Sequence, residues 1–381
     1  MCCFSLKEAG NFEYRKIRLL IGVCDIGNGH INRQRCIINE LLKCNVEIVI
    51  AAPMRSMAYF NTLYPQIKKA IVNIPWIYCN NGGIDFTKTL LRYKENKVDQ
   101  CEKFFEFALE IQSLFNGEMP DIIMSDYEPN TAQLSYALNK PLIGIEQQSK
   151  FLYIDSDKVN GLSISEEISR LNYFFPKVAH RYISSFFPLE KIEEDEITLL
   201  PPFLDTINMK RPVENKGIIY FSPYSDDYAQ FIKILEIAKK QNHILFHVYT
   251  NLTFNNYVGI DNIVFKKISD EFKNDLAECE FVISSSGHQL ISEAINLLVP
   301  LFVFTFNTFE QNYNAKMVEK YKLGSRIKDF NEFEFKCFLA NIEYYRNNML
   351  NFKDKYWRSN WKNIFMASLD SKFGIHYIGH E

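Results

Sequence analysis

The chain has 381 residues, of which 47% are hydrophobic and 23% charged, and its formal net charge is −3. This length suffices for two domains of ordinary size, and the charge gives no reason to expect binding to nucleic acid. Nine cysteines are scattered without a C-x-x-C pair, which argues against a metal site and for a reducing compartment. We therefore expect a cytoplasmic protein without a bound metal.

The apolar segments are too short to cross a membrane. A membrane helix needs roughly 20 apolar residues, and Pro300 interrupts the longest run, at 297–306. Charged residues also interrupt the first 16 positions, so we predict no secretory signal. We expect no transmembrane segment, and peripheral contact with a membrane stays open.

The first half of the chain alternates strand and helix patterns. Apolar runs predict buried strands at 17–24, 46–51, 71–74, 121–125, 142–145 and 197–200. Helical spacing predicts helices at 31–43, 95–115 and 130–138. This alternation indicates a parallel sheet with right-handed crossovers.

The same alternation begins again at Gly217. Strands are predicted at 218–221, 245–249, 263–265, 281–283 and 301–304, and helices at 226–239, 270–277, 288–297 and 310–321. The sequence thus predicts an α/β fold of two doubly wound, Rossmann-like domains that face a central cleft. The predicted parts are an acceptor-side domain (1–202), a linker (203–216), a second domain (217–350) and a closing helix (351–381). Ligands of such sheets bind at the carboxyl ends of the strands.

A glycine-containing loop, Gly27-Asn28-Gly29-His30, directly follows the first predicted strand. The dinucleotide fingerprint would need a glycine where Asn32 stands, so a nicotinamide cofactor is disfavoured. His30 falls at a helix start on the carboxyl edge of the sheet, where a histidine can accept a proton at neutral pH. The alternative is that His30 only caps the helix or bonds a carbonyl group.

A second loop, with Ser286 and Gly287, precedes the helix predicted at 288–297. A helix N-terminus presents free N–H groups that suit a diphosphate, although serine-rich helix caps are common. Glu293 lies within this helix, where it either reaches ribose hydroxyls or sits on a solvated face. Glu310 and Gln311 follow the next strand, and they either bind sugar hydroxyls or complement the dipole of the helix that they begin.

The two loops belong to an ordered set of motifs. GNGH, SDYEP, SSSGHQLISEA and FEQNYNAKMVEKYKLG occur in this order. The set resembles GT-B glycosyltransferases, and it is most similar to the bacterial and archaeal branch related to the N-acetylglucosaminyltransferase that completes lipid II. The resemblance covers residues 17–150 and 200–325. It implies transfer of a sugar from a nucleoside-diphosphate sugar, UDP-linked, to a hydroxyl of an unknown glycan, lipid, peptide or small molecule. The implied mechanism is inverting and needs no metal or cofactor.

The resemblance also implies roles for individual residues. His30 is the candidate base, and Asp126 orients it or holds the acceptor, beside an acceptor-side loop of Gly27, Asn28 and Gly29. The implied donor-binding residues are Ser222 (phosphates), Ile268 (its backbone near the base), Ser286 and Gly287 (diphosphate), His288 (near the diphosphate), Glu293 (ribose), Glu310 and Gln311 (donor sugar), and Asn314 (support of the loop).

Two other functions fit a similar architecture. A non-hydrolysing nucleotide-sugar epimerase shares the two-domain fold but needs several acid and base groups around the sugar itself. Here the polar groups are split between two domain edges, which favours transfer to a separate acceptor. The third interpretation is a nucleotide-sugar binding protein that has lost catalysis.

Overall fold

The computed structural model describes residues 15–24, 28–72, 78–80, 83–85, 87, 91, 100–156, 158–190, 192, 194–206, 210–221, 228–269 and 271–378. In this part of the chain, no helix is long and apolar enough to span a membrane. The predicted loop residue Gly27 and the predicted donor contact Ser222 lie outside the described residues.

Strands and helices alternate along both halves of the chain. The described strands are β1 (Ile17–Val23), β2 (Val46–Ala52), β3 (Lys68–Ile71), β4 (Tyr78–Asn80), β5 (Gly83–Asp85), β6 (Ile122–Asp126), β7 (Leu142–Gly144), β8 (Lys158–Val159), β9 (Leu162–Ser163), β10 (His180–Ser184), β11 (Ile197–Leu200), β12 (Lys216–Tyr220), β13 (Leu245–Tyr249), β14 (Ile263–Lys266), β15 (Phe281–Ser285), β16 (Leu301–Phe304) and β17 (Gly324–Arg326).

Most helices follow a strand and return the chain to the sheet. The described α-helices are α1 (Asn28–Leu41), α2 (Met54–Leu63), α3 (Gln100–Leu114), α4 (Pro129–Ala137), α5 (Ser165–Phe174), α6 (Tyr228–Lys239), α7 (Glu271–Glu278), α8 (His288–Leu297), α9 (Phe309–Lys320), α10 (Glu332–Ala340), α11 (Ile342–Tyr356) and α12 (Trp361–Phe373), with short 3-10 helices at Gln147–Tyr153 and Asn255–Tyr257.

Thirteen of the described strands form two parallel sheets, one in each half, while β4 with β5 and β8 with β9 form small antiparallel pairs. The first has the order β11-β10-β7-β6-β1-β2-β3, and the second has the order β14-β13-β12-β15-β16-β17. Both are doubly wound, so the predicted α/β fold class is confirmed. The order reverses between β1 and β6 in the first sheet and between β12 and β15 in the second. Such switch points are where open α/β sheets bind ligands, at the carboxyl ends of the strands.

A close contact in the first half fixes the switch point. A Cβ atom added at Gly22, in β1, would lie 2.0 Å from the side-chain oxygen of Thr131, in α4. Only glycine therefore lets α4 pack this closely over β1. This contact sets the position of the turn that joins β6 to α4.

One predicted strand is displaced in the structure. The strand predicted at 71–74 lies instead at Lys68–Ile71, and residues 73–77 lie outside the described part. Lysines are acceptable there because β3 is an edge strand, and Lys69 Nζ donates to the carbonyl oxygens of Tyr64 and Ile67.

Strand β10 was missed because it begins with His180 and Arg181, which interrupt the apolar pattern. Both are buried, because His180 Nε2 bonds Thr198 Oγ1 at 2.8 Å and Arg181 pairs with Glu146 at 3.0 Å. Burial, with a smaller effect of Lys372, lowers the pKa of His180 to about 4, so its ring is neutral in the sheet.

The C-terminal part of the described chain consists of two helices. The end predicted for the second domain, at residue 350, falls inside α11, and the division into domains stays a prediction. Met349 and Phe352 of α11 pack in a core of the second half. Helix α12 instead packs on the first sheet, where Phe365 is fully buried and Tyr182 Oη donates to Ser368 Oγ at 2.9 Å. The chain thus crosses back to the half in which it began.

Replacing Arg181 by methionine should lower the free energy of unfolding by about 3–5 kcal/mol, because it leaves the buried Glu146 carboxylate without its ion partner. Chemical unfolding monitored by fluorescence would measure the change. The control is Arg15→Met, which breaks an exposed pair with Asp121 and should cost less than about 1 kcal/mol. If the two variants lowered the free energy of unfolding equally, the buried pair would not stabilise the protein more than the exposed one.

Candidate functional site

Asp126 is the centre of a buried polar cluster at the switch point of the first sheet. It is the last residue of β6 and is fully buried. His30 Nδ1 lies 2.8 Å from its Oδ1, and Gln34 Nε2 donates to Oδ2 at 2.9 Å. Arg33 donates to both oxygens, with Nε at 3.0 Å from Oδ2. The three partners share one face of α1 because they are three and four residues apart.

The cluster keeps Asp126 ionised. Burial alone would raise the pKa of Asp126, but the positive charge of Arg33 and the bond from His30 outweigh it and hold the pKa well below its usual range. An ionised carboxylate accepts the Nδ1–H of His30, which leaves Nε2 with the lone pair. Arg33 Nη2 lies 2.9 Å from Nδ1 because both groups converge on the same oxygen.

The turn after Asp126 is constrained on both sides. Tyr127 has φ +56°, a left-handed conformation that non-glycine residues rarely adopt. The conformation is held because Ser125 Oγ donates to the Glu128 carbonyl oxygen at 2.8 Å. The Glu128 carboxylate in turn accepts the backbone N–H groups of Asn130 and Thr131, and so caps α4. The strained turn therefore lies directly beside the His30–Asp126 pair.

The first glycine loop contacts the second half of the protein. Asn28 Nδ2 donates to Tyr220 Oη, at the end of β12, over 3.2 Å. A Cβ atom added at Gly29 would lie 3.4 Å from the Cβ of Gln289 in α8. His30 therefore lies where the two halves meet, near the start of α8.

At the serine–glycine turn before α8, the Ser286 hydroxyl and the Gly287 N–H both make hydrogen bonds within the protein. Ser286 Oγ donates to the carbonyl oxygen of Gln311 at 2.7 Å, so this hydroxyl holds the neighbouring loop. The Gly287 N–H is also used, since it donates to the Ser285 carbonyl oxygen at 2.8 Å. Gly287 caps α8 without a side chain, and a Cβ atom added there would meet no protein atom within 4 Å. The donors that remain are the N–H groups of the first helical turn.

His288 begins α8 as a neutral ring with one free donor. Its Nε2 accepts the backbone N–H of Phe186 at 3.0 Å, so Nε2 carries no proton. Burial, together with the charge of Lys150, holds the pKa of His288 well below its usual value. The single proton must then be on Nδ1, and this buried N–H has no partner among the described residues.

Glu293 does not lie on a solvated face. It is 5% exposed, and its Oε1 accepts Gln289 Nε2 at 3.0 Å. Burial raises the pKa of Glu293 to about 7, and the nearby Asp205 adds to this effect. The carboxyl therefore faces the boundary between the halves, where a new hydrogen-bond donor would stabilise its charged form.

The three residues of the predicted sugar loop make different hydrogen bonds within the protein. Glu310 Oε1 accepts Gln147 Nε2 at 3.0 Å, which joins the two halves. Gln311 Oε1 instead accepts the N–H of Phe306 at 3.1 Å. Asn314 Nδ2 donates to the Ser286 carbonyl oxygen at 3.0 Å.

The remaining predicted donor residue lies apart from these loops. Ile268 follows β14 and packs, partly buried, against a core that includes Phe272. The structure thus brings His30, Asp126 and the start of α8 together. Ile268 follows β14, which lies three strands away from β15, the strand that leads into α8.

A family model described as glycosyl transferase family 1 matches residues 17–343. The chain belongs to glycosyl transferase family 1. The prediction of a glycosyltransferase is therefore confirmed at the level of the family, and the match does not distinguish the lipid-II-related branch. No curated protein sequence matches the chain.

Solved glycosyltransferases share the fold of this family member. CalG4, the calicheamicin glycosyltransferase, superposes with a TM-score of 0.67 at 12% identity, covering 94% of this chain and 99% of that one. UGT2 of Phytolacca americana, complexed with UDP-2fluoro-glucose and pterostilbene, superposes with a TM-score of 0.67 at 11% identity. The match covers 93% of this chain and 99% of that chain. UGT89C1 of Arabidopsis thaliana, complexed with UDP-L-rhamnose, superposes with a TM-score of 0.66 at 12% identity. The match covers 93% of this chain and 98% of that chain. The GT-B architecture predicted from the sequence is confirmed.

Several polar residues of this glycosyltransferase were not predicted from its sequence. Arg33 and Gln34 complete the shell of Asp126, and Gln147 and Lys150 lie in the 3-10 helix that follows β7. The one local signal was the spacing of His30, Arg33 and Gln34 along a helix face. Among the described residues, no group of three or more His, Cys, Asp or Glu side chains is arranged to hold a metal ion.

Glu293→Gln should stabilise the protein at pH 8 by up to about 3 kcal/mol. In the unfolded chain this carboxyl ionises near pH 4.5, but in the folded protein it ionises only near pH 7. The wild type therefore loses stability as the pH rises through this interval, whereas the variant does not.

Thermal unfolding of Glu293→Gln at pH 4.5 and pH 8 would measure the difference. The control is Glu106→Gln, at an exposed position of α3, which should behave like the wild type at both pH values. If Glu293→Gln stabilised the protein equally at pH 4.5 and pH 8, ionisation of Glu293 would not be the cause of the stabilisation.

Proposed function

We propose that this family member transfers a sugar from a nucleoside-diphosphate sugar, UDP-linked, to an acceptor hydroxyl, with His30 as the general base. The observation that supports this most directly is the hydrogen bond between His30 Nδ1 and the buried, ionised Asp126. It orients the ring and leaves Nε2 as the proton acceptor. The pair lies beside the start of α8, where the Nδ1–H of His288 has no partner among the described residues.

The reaction follows from this arrangement. The acceptor oxygen attacks the anomeric carbon of the donor sugar as its proton passes to His30 Nε2. The bond from that carbon to the diphosphate oxygen breaks, and the electron pair leaves with the nucleoside diphosphate. Asp126 stabilises the imidazolium that forms, as a carboxylate does in other His–Asp pairs. Attack opposite the leaving group inverts the configuration.

The donor-side roles agree with the observed contacts. The N–H groups at the start of α8 would bind the diphosphate, without requiring a metal. Glu293 would accept ribose hydroxyls, which explains a buried carboxyl with only one hydrogen bond. Glu310 would contact the donor sugar, with Gln311, Asn314 and Ser286 holding its loop. The proposed contacts from the segments of Ser222 and Ile268 complete the nucleotide site.

The proposed donor class is supported by the relatives. Two of the solved structures with this fold hold UDP-sugars. The segment SDYEP, which contains Asp126, also supports our proposal that the chain belongs to the branch related to the lipid-II-forming N-acetylglucosaminyltransferase. The acceptor is a separate molecule bound beside His30.

An assay of nucleoside diphosphate release tests this function. UDP-sugars are incubated with lipid, glycan, peptide and small-molecule acceptors, with and without EDTA, and the anomeric configuration of the product is determined by NMR. We expect acceptor-dependent UDP release that EDTA does not abolish. A new sugar isomer formed from donor alone would indicate an epimerase, and tight donor binding without turnover on any acceptor would indicate a binding protein.

His30→Ala should lower kcat by about 10²–10⁴-fold while leaving donor affinity nearly unchanged, because it removes the base but no donor contact. Steady-state kinetics and calorimetry with UDP would measure the two effects. The control is His243→Ala, at an exposed position of the second half. Parallel losses of kcat and donor affinity would rule out the assigned role.

Gly287→Val should weaken UDP binding by about tenfold or more, equal to about 1.4 kcal/mol. The added side chain meets no protein atom within 4 Å of its Cβ, so it fills the space in front of the N–H groups of α8. Calorimetry would measure affinity, and Gly287→Ala should give a smaller loss. Unchanged affinity in the valine variant, with an unchanged melting temperature, would show that the diphosphate binds elsewhere.

A further inference from the structure

Lys150 is a buried amine without a partner. It lies in the 3-10 helix Gln147–Tyr153 and is 0% exposed. Its Nζ makes no hydrogen bond within the described part of the chain. Lys150 Nζ lies over two aromatic rings, 4.7 Å from the centre of the Phe151 ring and 5.8 Å from the centre of the Phe187 ring. Aromatic faces attract a cation but do not satisfy its N–H groups.

Such an arrangement costs free energy in the ligand-free protein. Burying an ammonium group without hydrogen bonds is unfavourable, and the usual response is a shift toward the neutral amine. Burial accordingly lowers the pKa of Lys150 to about 8, although the charge of Glu310 acts in the opposite direction. A methionine would fill the same space without this cost. Function is therefore the better explanation for a lysine here.

The surroundings place Lys150 between the two halves. The charged groups that act on it are Arg33 of α1 and Glu167 of α5 in the first half, and Glu310 of α9 in the second. Lys150 Nζ lies 5.8 Å from the centre of the Phe187 ring, and the ring of the adjacent Phe186 lies 5.4 Å from that of His288, so the amine lies near the start of α8. The backbone segment that contains Phe187 also approaches α8, because the N–H of Phe186 donates to His288 Nε2.

Two unpartnered donors therefore flank one helix N-terminus. One is the ammonium group of Lys150, and the other is the Nδ1–H of His288. The first-turn N–H groups of α8 are further donors at this helix end, and they lack a side-chain cap. Oxygen atoms of an anion would satisfy all of these donors at once, and a phosphate suits a helix N-terminus.

We propose that Lys150 and His288 bind the diphosphate of the donor from opposite halves of the protein and stabilise it as a leaving group. This inference rests on the proposed function, and it names the partners of the diphosphate. The bond between the anomeric carbon and the phosphate oxygen breaks, and the negative charge stays on the diphosphate. The ammonium group of Lys150 interacts more strongly with that growing charge than with the intact donor, so it lowers the barrier as well as the Kd.

Calorimetry with uridine, UMP, UDP and pyrophosphate tests the proposal in the full-length protein. Lys150→Met should weaken UDP and pyrophosphate binding by about 10- to 100-fold and leave uridine binding unchanged, since a hydrogen bond to a charged group is worth about 1.5–3 kcal/mol. His288→Gln should weaken the same two ligands, while its side-chain oxygen still accepts the Phe186 N–H. Lys239→Met, on the exposed end of α6, is the charge-matched control.

Stability separates a binding role from a structural one. Lys150→Met should raise the melting temperature of the free protein, because it removes a buried donor without a partner. Binding of UDP should reduce the difference in melting temperature between the variant and the wild type, because UDP stabilises the wild type more. A variant that melts earlier and loses affinity for uridine and UDP alike would show that Lys150 is structural and would overturn the proposal.

The pH dependence of binding gives an independent readout. UDP affinity of the wild type should fall between pH 7.5 and 9.5 as Lys150 loses its proton, whereas that of Lys150→Met should stay level. The groups that face the amine are Arg33, Glu167, Glu310 and His288, and burial keeps the His288 ring neutral throughout this pH range. A phosphate monoester completes its ionisation near pH 6, below this range.

The outcomes also separate this inference from the function on which it rests. If the wild type transfers sugar and binds UDP, but Lys150→Met binds UDP and pyrophosphate equally well at every pH, the inference is wrong and the function stands. If the wild type binds neither UDP nor UDP-sugars, the proposed function fails and the inference fails with it.

Discussion

The structure depends on one buried carboxylate. Asp126 has no contact with solvent, and its charge is stable only because donors surround both of its oxygens. These donors come from a single face of α1, so α1 must cross the end of β6 at a fixed position. The loop that begins α1 is thereby placed against Tyr220 of the second half. The requirement to satisfy one charge in the first half thus sets where the two halves touch.

The two sides of the site differ in how completely their polar groups are satisfied. Around Asp126 the charged groups are paired, which preorganises His30 before any ligand arrives. At the start of α8, by contrast, His288 Nδ1 and Lys150 Nζ are buried and have no hydrogen-bond partner in the described part of the chain. Buried polar atoms are normally hydrogen-bonded, so a cluster of exceptions indicates where a ligand completes the structure. The contrast fits an enzyme whose base is permanent and whose donor leaves after each turnover.

Sequence patterns predicted those elements that are specified by residues close together in the chain. The apolar run that became β1, the glycine loop after it and the helix start at Gly287 were all recognisable, and so was the two-sheet fold. Residues that are buried through distant partners were not recognisable. Arg181 is buried because of Glu146, and Arg33 is buried because of Asp126, 93 positions away. Lys150 could not be found at all, because its proposed partner is a substrate rather than a residue. The diphosphate contact assigned to Ser286 stays a prediction, and in this structure its hydroxyl donates to the carbonyl oxygen of Gln311.

Helix α12 packs on the first sheet, and this affects the order in which the two halves can finish folding during synthesis. Trp361, Phe365 and Leu369 share a core with Leu19 and Ile50, which the ribosome makes more than 300 residues earlier. During synthesis, the first sheet therefore emerges with part of its apolar surface uncovered, and the whole second half must follow before the cover arrives. Domains usually fold as they are made, beginning at the N-terminus. In this protein the first half is the last to be finished, so complete burial of its apolar surface requires successful synthesis of the second half.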